Sequence, residues 1–281
     1  GAVLATLATR PLDTFRQEVY DISSGKPQKL NLPERSTLRG MLGRVGGPPP
    51  RLVFTIEENW RINDQDFKAG TLMSVPMRML LPPPPGVGIV LTKGDLSILE
   101  PTPRQSVEDV DVFDERIFAT LYDNVRGRVS VFTDKGEFGG WQQNPLQAPE
   151  NVAIHLGSSS RKQEKAFYTY EGFLTPPTLS LANVAALTSD KVKEAPAKFD
   201  ASNDIVEQFE ATSKDGTKIP YFVVHPKGEL TGKTATMMFG YGGFQVSYPP
   251  VYKPELGKIW LERGGAYVIA NIRGGGEFGP S

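Results

Sequence analysis

Apolar positions along this chain come in short bursts, with few of the long stripes that mark helices. From Arg51 to Leu181 each burst is a handful of residues, rich in β-branched or aromatic types and closed by turn residues. That pattern predicts short strands over Arg51–Ile56, Gly88–Leu91, Arg116–Leu121, Arg128–Phe132, Val152–Leu156 and Ala166–Tyr170. Around Asp123–Gly127 two strands form a hairpin whose loop is expected to be slightly longer than the two-residue minimum. Many short strands at about ten-residue spacing fit a sandwich, a barrel or a propeller. The prolines at 48–50 and 82–85 lack ladder donors, so they belong to connectors or edges.

Near Phe199 the pattern changes. A polar, turn-like stretch, Phe199–Asp204, leads into an alternating strand, Ile205–Thr212. A turn at Lys214-Asp215-Gly216 follows, and then a second strand, Lys218–His225. Next come a continuous apolar strand at Thr236–Phe239 and a loop, Gly240-Tyr241-Gly242-Gly243-Phe244. A helical stretch over Lys253–Arg263, capped by Gly264-Gly265, precedes another apolar strand at Ala266–Asn271. Strand, loop, helix and strand with unalternating apolar strands predict a βαβ unit in a buried parallel sheet. The domain boundary is placed between Ala197 and Asp204.

Composition supports the strand-rich reading, because 29 glycines and 24 prolines accompany few helical runs. The 31 basic and 32 acidic side chains leave a formal charge of -1 and are scattered, so neither nucleic acid nor an anionic membrane is an expected partner. The absence of cysteine removes disulfides, thiolate metal sites and cysteine nucleophiles together. No apolar run approaches the roughly 18 residues that span a bilayer. The start Gly1-Ala2-Val3-Leu4-Ala5 lacks a basic n-region and is read as a cut end.

Candidate chemistry concentrates in the glycine-rich loops. The Gly240–Phe244 loop follows a strand and precedes a helix, where α/β-hydrolases place oxyanion-hole donors. There the Tyr241 hydroxyl could donate to a developing oxyanion; equally, Tyr241 could pack over the sheet while the glycines only make the turn. A second cluster, Arg273-Gly274-Gly275-Gly276-Glu277-Phe278-Gly279, follows the next strand at the same edge. No helix follows it, so phosphate binding is not expected, and a buried Arg273–Glu277 pair bracing the loop is. The two histidines, His155 and His225, fall at strand ends in apolar surroundings and are read as structural, leaving no zinc site. No Gly-x-Ser-x-Gly nucleophile motif is present.

Four stretches, in order and spacing, resemble the prolyl oligopeptidase family of serine peptidases. They are Ser213–Pro220, Phe222–His225 with Lys227-Gly228, Gly240–Phe244, and Ala270–Gly279. Upstream, Glu100–Pro103, Asp123–Val125 with Arg128-Val129, and Gly172–Pro176 resemble propeller segments more loosely. The resemblance implies a mixed architecture: residues 1–200 as a partial all-β propeller of about four blades, and 201–281 as the beginning of an α/β-hydrolase domain. It places Tyr241 on the family's oxyanion tyrosine, Phe244 on a pocket-lining aromatic, and Arg273 on a loop framing the same cleft. The implied substrate is a short proline-containing peptide, cleaved after proline through an acyl-enzyme.

No residue here matches the family's catalytic serine, aspartate or histidine, so the chain alone is expected to be inactive. The resemblance implies no cofactor or metal, a monomer when complete, and a cytoplasmic setting, with the periplasm also compatible. Two other readings stand beside it: a non-enzymatic propeller that serves as a binding scaffold, and another hydrolase of the same fold, an esterase or acyl-aminoacyl peptidase.

Overall fold

The structure is a computed structural model and describes residues 3–9, 16–43, 50–82, 91–136, 139–228 and 232–280. It is built almost wholly of strands. A three-stranded sheet of β1 (Leu4–Thr9), β2 (Arg16–Asp21) and β3 (Gln28–Lys29) comes first. A second sheet orders β4 (Ser36–Leu42), β5 (Arg51–Ile56), β8 (Leu72–Pro76) and β9 (Ser97–Leu99), with the hairpin β6 (Trp60–Ile62) and β7 (Gln65–Phe67) between β5 and β8. A short helix, α1 (Lys93–Leu96), precedes β9 and is closed by a capping box between Thr92 and Asp95. The third sheet is the antiparallel meander β10 (Gln105–Val112), β11 (Arg116–Asp123), β12 (Arg126–Asp134) and β13 (Trp141–Leu146). The fourth repeats it with β14 (Val152–Ser160), β15 (Lys165–Gly172), β16 (Thr178–Asn183) and β17 (Thr188–Glu194).

Side-chain alternation explains how these sheets stack. In β5, Val53 joins a core with Leu72, Ile117, Ala119 and Phe132, whereas Leu52 and Phe54 face an opposite core with Met73 and Val75. In β11, Ile117 and Ala119 face the second sheet, while Phe118 faces Val129, Ile154 and Tyr168 toward the fourth. Successive residues of a strand point to opposite faces, so a strand buried on both faces reads as a continuous apolar run. The expected strand at Gly88–Leu91 and most of the proline clusters lie outside the described residues; Pro50 and Pro82 lie outside strands.

The hairpin between β11 and β12 corrects an expectation. Its loop is Asn124-Val125 alone, both with positive φ (50° and 68°), which is the arrangement of a type I′ turn. Asparagine tolerates that backbone, but a β-branched residue does not. Val125 is held there because its side chain is fully buried among Phe173, Phe199 and Phe222 of the next core.

The last sheet runs β18 (Asp204–Thr212), β19 (Lys218–Pro226), β21 (Ala266–Ala270), β20 (Thr236–Gly240). Only β20 and β21 are parallel, joined across α2 (Pro254–Ile259) and a 3-10 turn at Leu261–Arg263, and Gly264 takes the left-handed cap (φ 81°). The other pairings are antiparallel, so the sheet is mixed where a parallel one was expected. β21 is buried, and among the described residues β20 is the outer strand of the sheet, with its five residues exposed, Met238 at 71%. No helix among the described residues is long and apolar enough to cross a membrane.

Candidate functional site

The loops that follow β20 and β21 leave the sheet at the same edge, because their strands are parallel. They touch through backbone. Gln245 N–H donates to the Gly274 carbonyl (3.1 Å), and within the first loop Val246 N–H donates to the Gly243 carbonyl (3.1 Å). A Cβ on Gly274 would overlap the Gly242 carbonyl oxygen, and one on Gly276 the Gln245 carbonyl oxygen. These glycines are thus required by close approach of two main chains.

Tyr241 lies on this surface, 38% exposed, with its ring edge-on to Tyr248 (centroids 5.9 Å apart). Its hydroxyl leans over Gly243, where a Cβ would stand 2.6 Å away. Tyr248 in turn packs on Phe239 at the end of β20, at 5.1 Å. Phe244 has φ 56° and is 87% exposed, and Gln245 also has a positive φ (53°). The loop thus presents one anchored phenol and one bare aromatic ring.

Arg273 and Glu277 do not pair. Arg273 is exposed and reaches the β18–β19 turn, where it meets Asp215 and donates to Ser213 Oγ (3.1 Å). The Asp215 carboxyl is held below its ordinary range, chiefly by the Thr217 backbone N–H and then by Arg273. Glu277 is buried and satisfied instead by amides: its Oε1 accepts from Tyr248 N–H (3.0 Å) and Asn271 Nδ2 (3.0 Å). A buried carboxylate with two N–H donors needs no arginine, and the exposed guanidinium finds a surface partner in Asp215 instead.

The histidines divide. His225 is buried, with Nε2 at 2.8 Å from Glu207 Oε2 and Nδ1 at 2.8 Å from the Pro226 carbonyl. His155, expected in apolar surroundings, is instead exposed, 4.0 Å from Asp109. Its side chain leaves the strand on the solvent side. Among the described residues no group of three or more His, Asp or Glu side chains is placed to hold a metal.

The pattern of residue types gave no notice of the cavity beside these loops. It is about 250 Å³ and lies between Gln245 and Ser247 on one wall and Arg39, Glu57, Ser106 and Glu108 of the second and third sheets on the other. Burial lowers the pKa of Arg39 against the opposing pull of Asp109, Glu108 and Glu57. Burial likewise raises the Glu108 carboxyl, against a hydrogen bond from Ser106 Oγ (2.7 Å). Ser106 Oγ also lies 3.2 Å from the Glu277 carbonyl, tying the loop to β10. These residues are far apart in sequence, and no local spacing could have grouped them. A larger cavity of about 430 Å³, lined by Arg51, Asp134 and Trp141 among others, shares no residue with the loops and lies away from Tyr241.

No family model matches the chain. The uncharacterized peptidase y4nA of Sinorhizobium fredii is 37% identical over 284 residues, covering all of this chain and 38% of that protein. A prolyl endopeptidase of Elizabethkingia meningoseptica is 40% identical over 125 residues, 44% of this chain and 18% of its own length. Among solved structures, a post-proline cleaving enzyme from Rickettsia typhi superposes with a TM-score of 0.78 at 31% identity, over 99% of this chain and 39% of that one. The chain therefore spans about two fifths of the length of such full-length relatives. With the four sequence stretches and the two glycine loops at one sheet edge, these similarities establish that the chain belongs to the prolyl oligopeptidase family of serine peptidases.

Proposed function

We propose that this chain is part of a serine peptidase that cleaves short peptides on the carboxyl side of proline through an acyl-enzyme, with Tyr241 donating to the tetrahedral oxyanion. The observation that carries this reading is the placement of Tyr241. Its partly exposed phenol stands just past the carboxyl end of β20, the end at which α/β sheets bind ligands. An O–H donor there favours an oxygen whose charge grows only in the transition state.

Phe244 offers an open apolar face to a substrate ring, and its exposure is a cost that such a contact offsets. Arg273, anchored on Asp215, frames the cleft from the neighbouring loop. In this reading residues 1–200 are part of a β-propeller of about four blades, and 201–281 open an α/β-hydrolase domain. The face-to-face stacking of the antiparallel sheets and the crossover through α2 support that division. The catalytic serine, aspartate and histidine then lie outside these 281 residues, and the chain by itself hydrolyses nothing.

The test is Tyr241→Phe in the complete protein that carries this chain, assayed on a chromogenic peptide with proline before the scissile bond. Removing one oxyanion donor is expected to lower kcat by about 10²–10³ at unchanged melting temperature. An unchanged kcat would remove Tyr241 from the chemistry.

A further inference from the structure

Two polar side chains in the loop after β21 are almost wholly buried, Asn271 at 3% and Glu277 at 2% exposure. Burying a carboxylate is costly unless its oxygens are engaged, and the partner that engages this one is specific. Tyr248 lies outside every strand, yet both polar groups of its backbone are captured by this pair. Its N–H donates to Glu277 Oε1 (3.0 Å), and its carbonyl accepts from Asn271 Nδ2 (2.9 Å), which also reaches Glu277 Oε1 (3.0 Å). Asn271 is itself fixed from the sheet side, since its N–H donates to the Pro220 carbonyl (3.0 Å).

What the pair holds in place is the Tyr248 ring. That ring stands between Phe239 (5.1 Å) and Tyr241 (5.9 Å, 69° between planes), so it forms one side of the seat of the Tyr241 phenol. The other side is the bare Cα of Gly243. The glycine run is required by the same clamp, because a Cβ on Gly275 would overlap Glu277 Oε2. We infer that Asn271 and Glu277 are positioning residues that set the orientation of the Tyr241 hydroxyl by clamping the backbone of Tyr248. The inference rests on the assignment of Tyr241 as an oxyanion donor.

The clamp acts on geometry, and displacements of about 1 Å at a reacting centre cost up to 10²-fold in rate. In the complete protein, Glu277→Ala is expected to lower kcat at least about tenfold with KM within about twofold. Glu277→Gln, which keeps an acceptor oxygen for both donors, is expected to restore most of the rate. The decisive comparison is a double-mutant cycle with Tyr241→Phe. If Glu277 works through the Tyr241 hydroxyl, Glu277→Ala costs nothing further once that hydroxyl is gone. Losses that multiply would overturn the inference, as would an unchanged kcat in folded Glu277→Ala.

Should Glu277→Ala fail to fold, Tyr248→Leu removes the ring while leaving the carboxylate and both its donors, the residue 248 N–H and Asn271 Nδ2. The same loss, absent in the Tyr241→Phe background, supports the inference, and a kcat equal to the parent overturns it. An unchanged kcat in Tyr241→Phe alone overturns the donor assignment and this inference with it. That outcome is distinct from a cycle in which Tyr241→Phe is impaired and Glu277→Ala is simply additive.

Discussion

Val125 offers the sharpest test of the packing argument, because two opposing effects meet on one residue. Its side chain is fully buried between the β11–β12 hairpin and the last sheet, and its backbone is left-handed (φ 68°). Replacing it with alanine removes two methyl groups, about 1.6 kcal/mol at about 0.8 per carbon. The cavity left behind adds about 1 kcal/mol, so Val125→Ala is expected to cost about 2–3 kcal/mol. Going on to glycine removes one more carbon, about 0.8 kcal/mol, and adds about 0.5–1 kcal/mol of backbone entropy. It also releases the left-handed penalty of about 1–2 kcal/mol that alanine still bears.

Those increments nearly cancel, so Val125→Gly and Val125→Ala should unfold at the same urea midpoint with the same slope. At an unstrained buried site glycine would be worse than alanine by about 1.3–1.8 kcal/mol. Urea titration followed by tryptophan fluorescence separates the cases. A glycine variant less stable than the alanine variant by that margin would refute the claim that packing holds this turn against its own backbone preference.

Two other expectations concern the cavity and the loops. Burial raises the Glu108 carboxyl above its unfolded value, so its contribution to stability is full below the unfolded pKa and is lost as pH rises through the folded one. Glu108→Gln, facing Arg39, Asp109 and His155, should therefore melt higher than the parent at pH 8 and equally below about pH 4; equal melting at pH 8 would show that the charge is not penalised there. Gly274→Ala combines φ 91° with a clash against the Gly242 carbonyl, whereas Gly216→Ala has φ 85° and nothing within 4 Å. Thermal melts should place Gly274→Ala about 1–3 kcal/mol below Gly216→Ala, and equal losses would mean that the two loops separate freely.

Much of the fold was legible because strand residues and turn residues differ locally. The runs at Arg51–Ile56, Arg116–Leu121 and Val152–Leu156 all lie in strands, and the helix after Lys253 ends at its glycine cap. The change of character near Phe199 coincides with the passage from the fourth sheet to the mixed one. Features set by distant partners were not legible. The short turn at Asn124-Val125 depends on a core assembled from residues many positions later, and Arg273 turns to Asp215 because the β18–β19 turn is beside it. Within the site, Tyr241 and Phe244 stood out as aromatic residues among glycines. Asn271 and Tyr248 did not, since their roles lie in hydrogen bonds and ring contacts that spacing does not encode.

The position of β21 bears on how the protein is made. It is the strand that joins β20 to the rest of the sheet, and it is also the last of the four to leave the ribosome. β18 and β19 can close as a local hairpin as soon as they emerge. Among these four strands β20 pairs only with β21, so that pairing waits until Ala270, thirty residues after Gly240, has been added. At about 5–20 residues per second, Met237, Met238 and Phe239 stay unpaired on the nascent chain for roughly 2–6 s. Any slowing of translation across α2 lengthens the interval in which a chaperone, or another nascent chain, can reach them first.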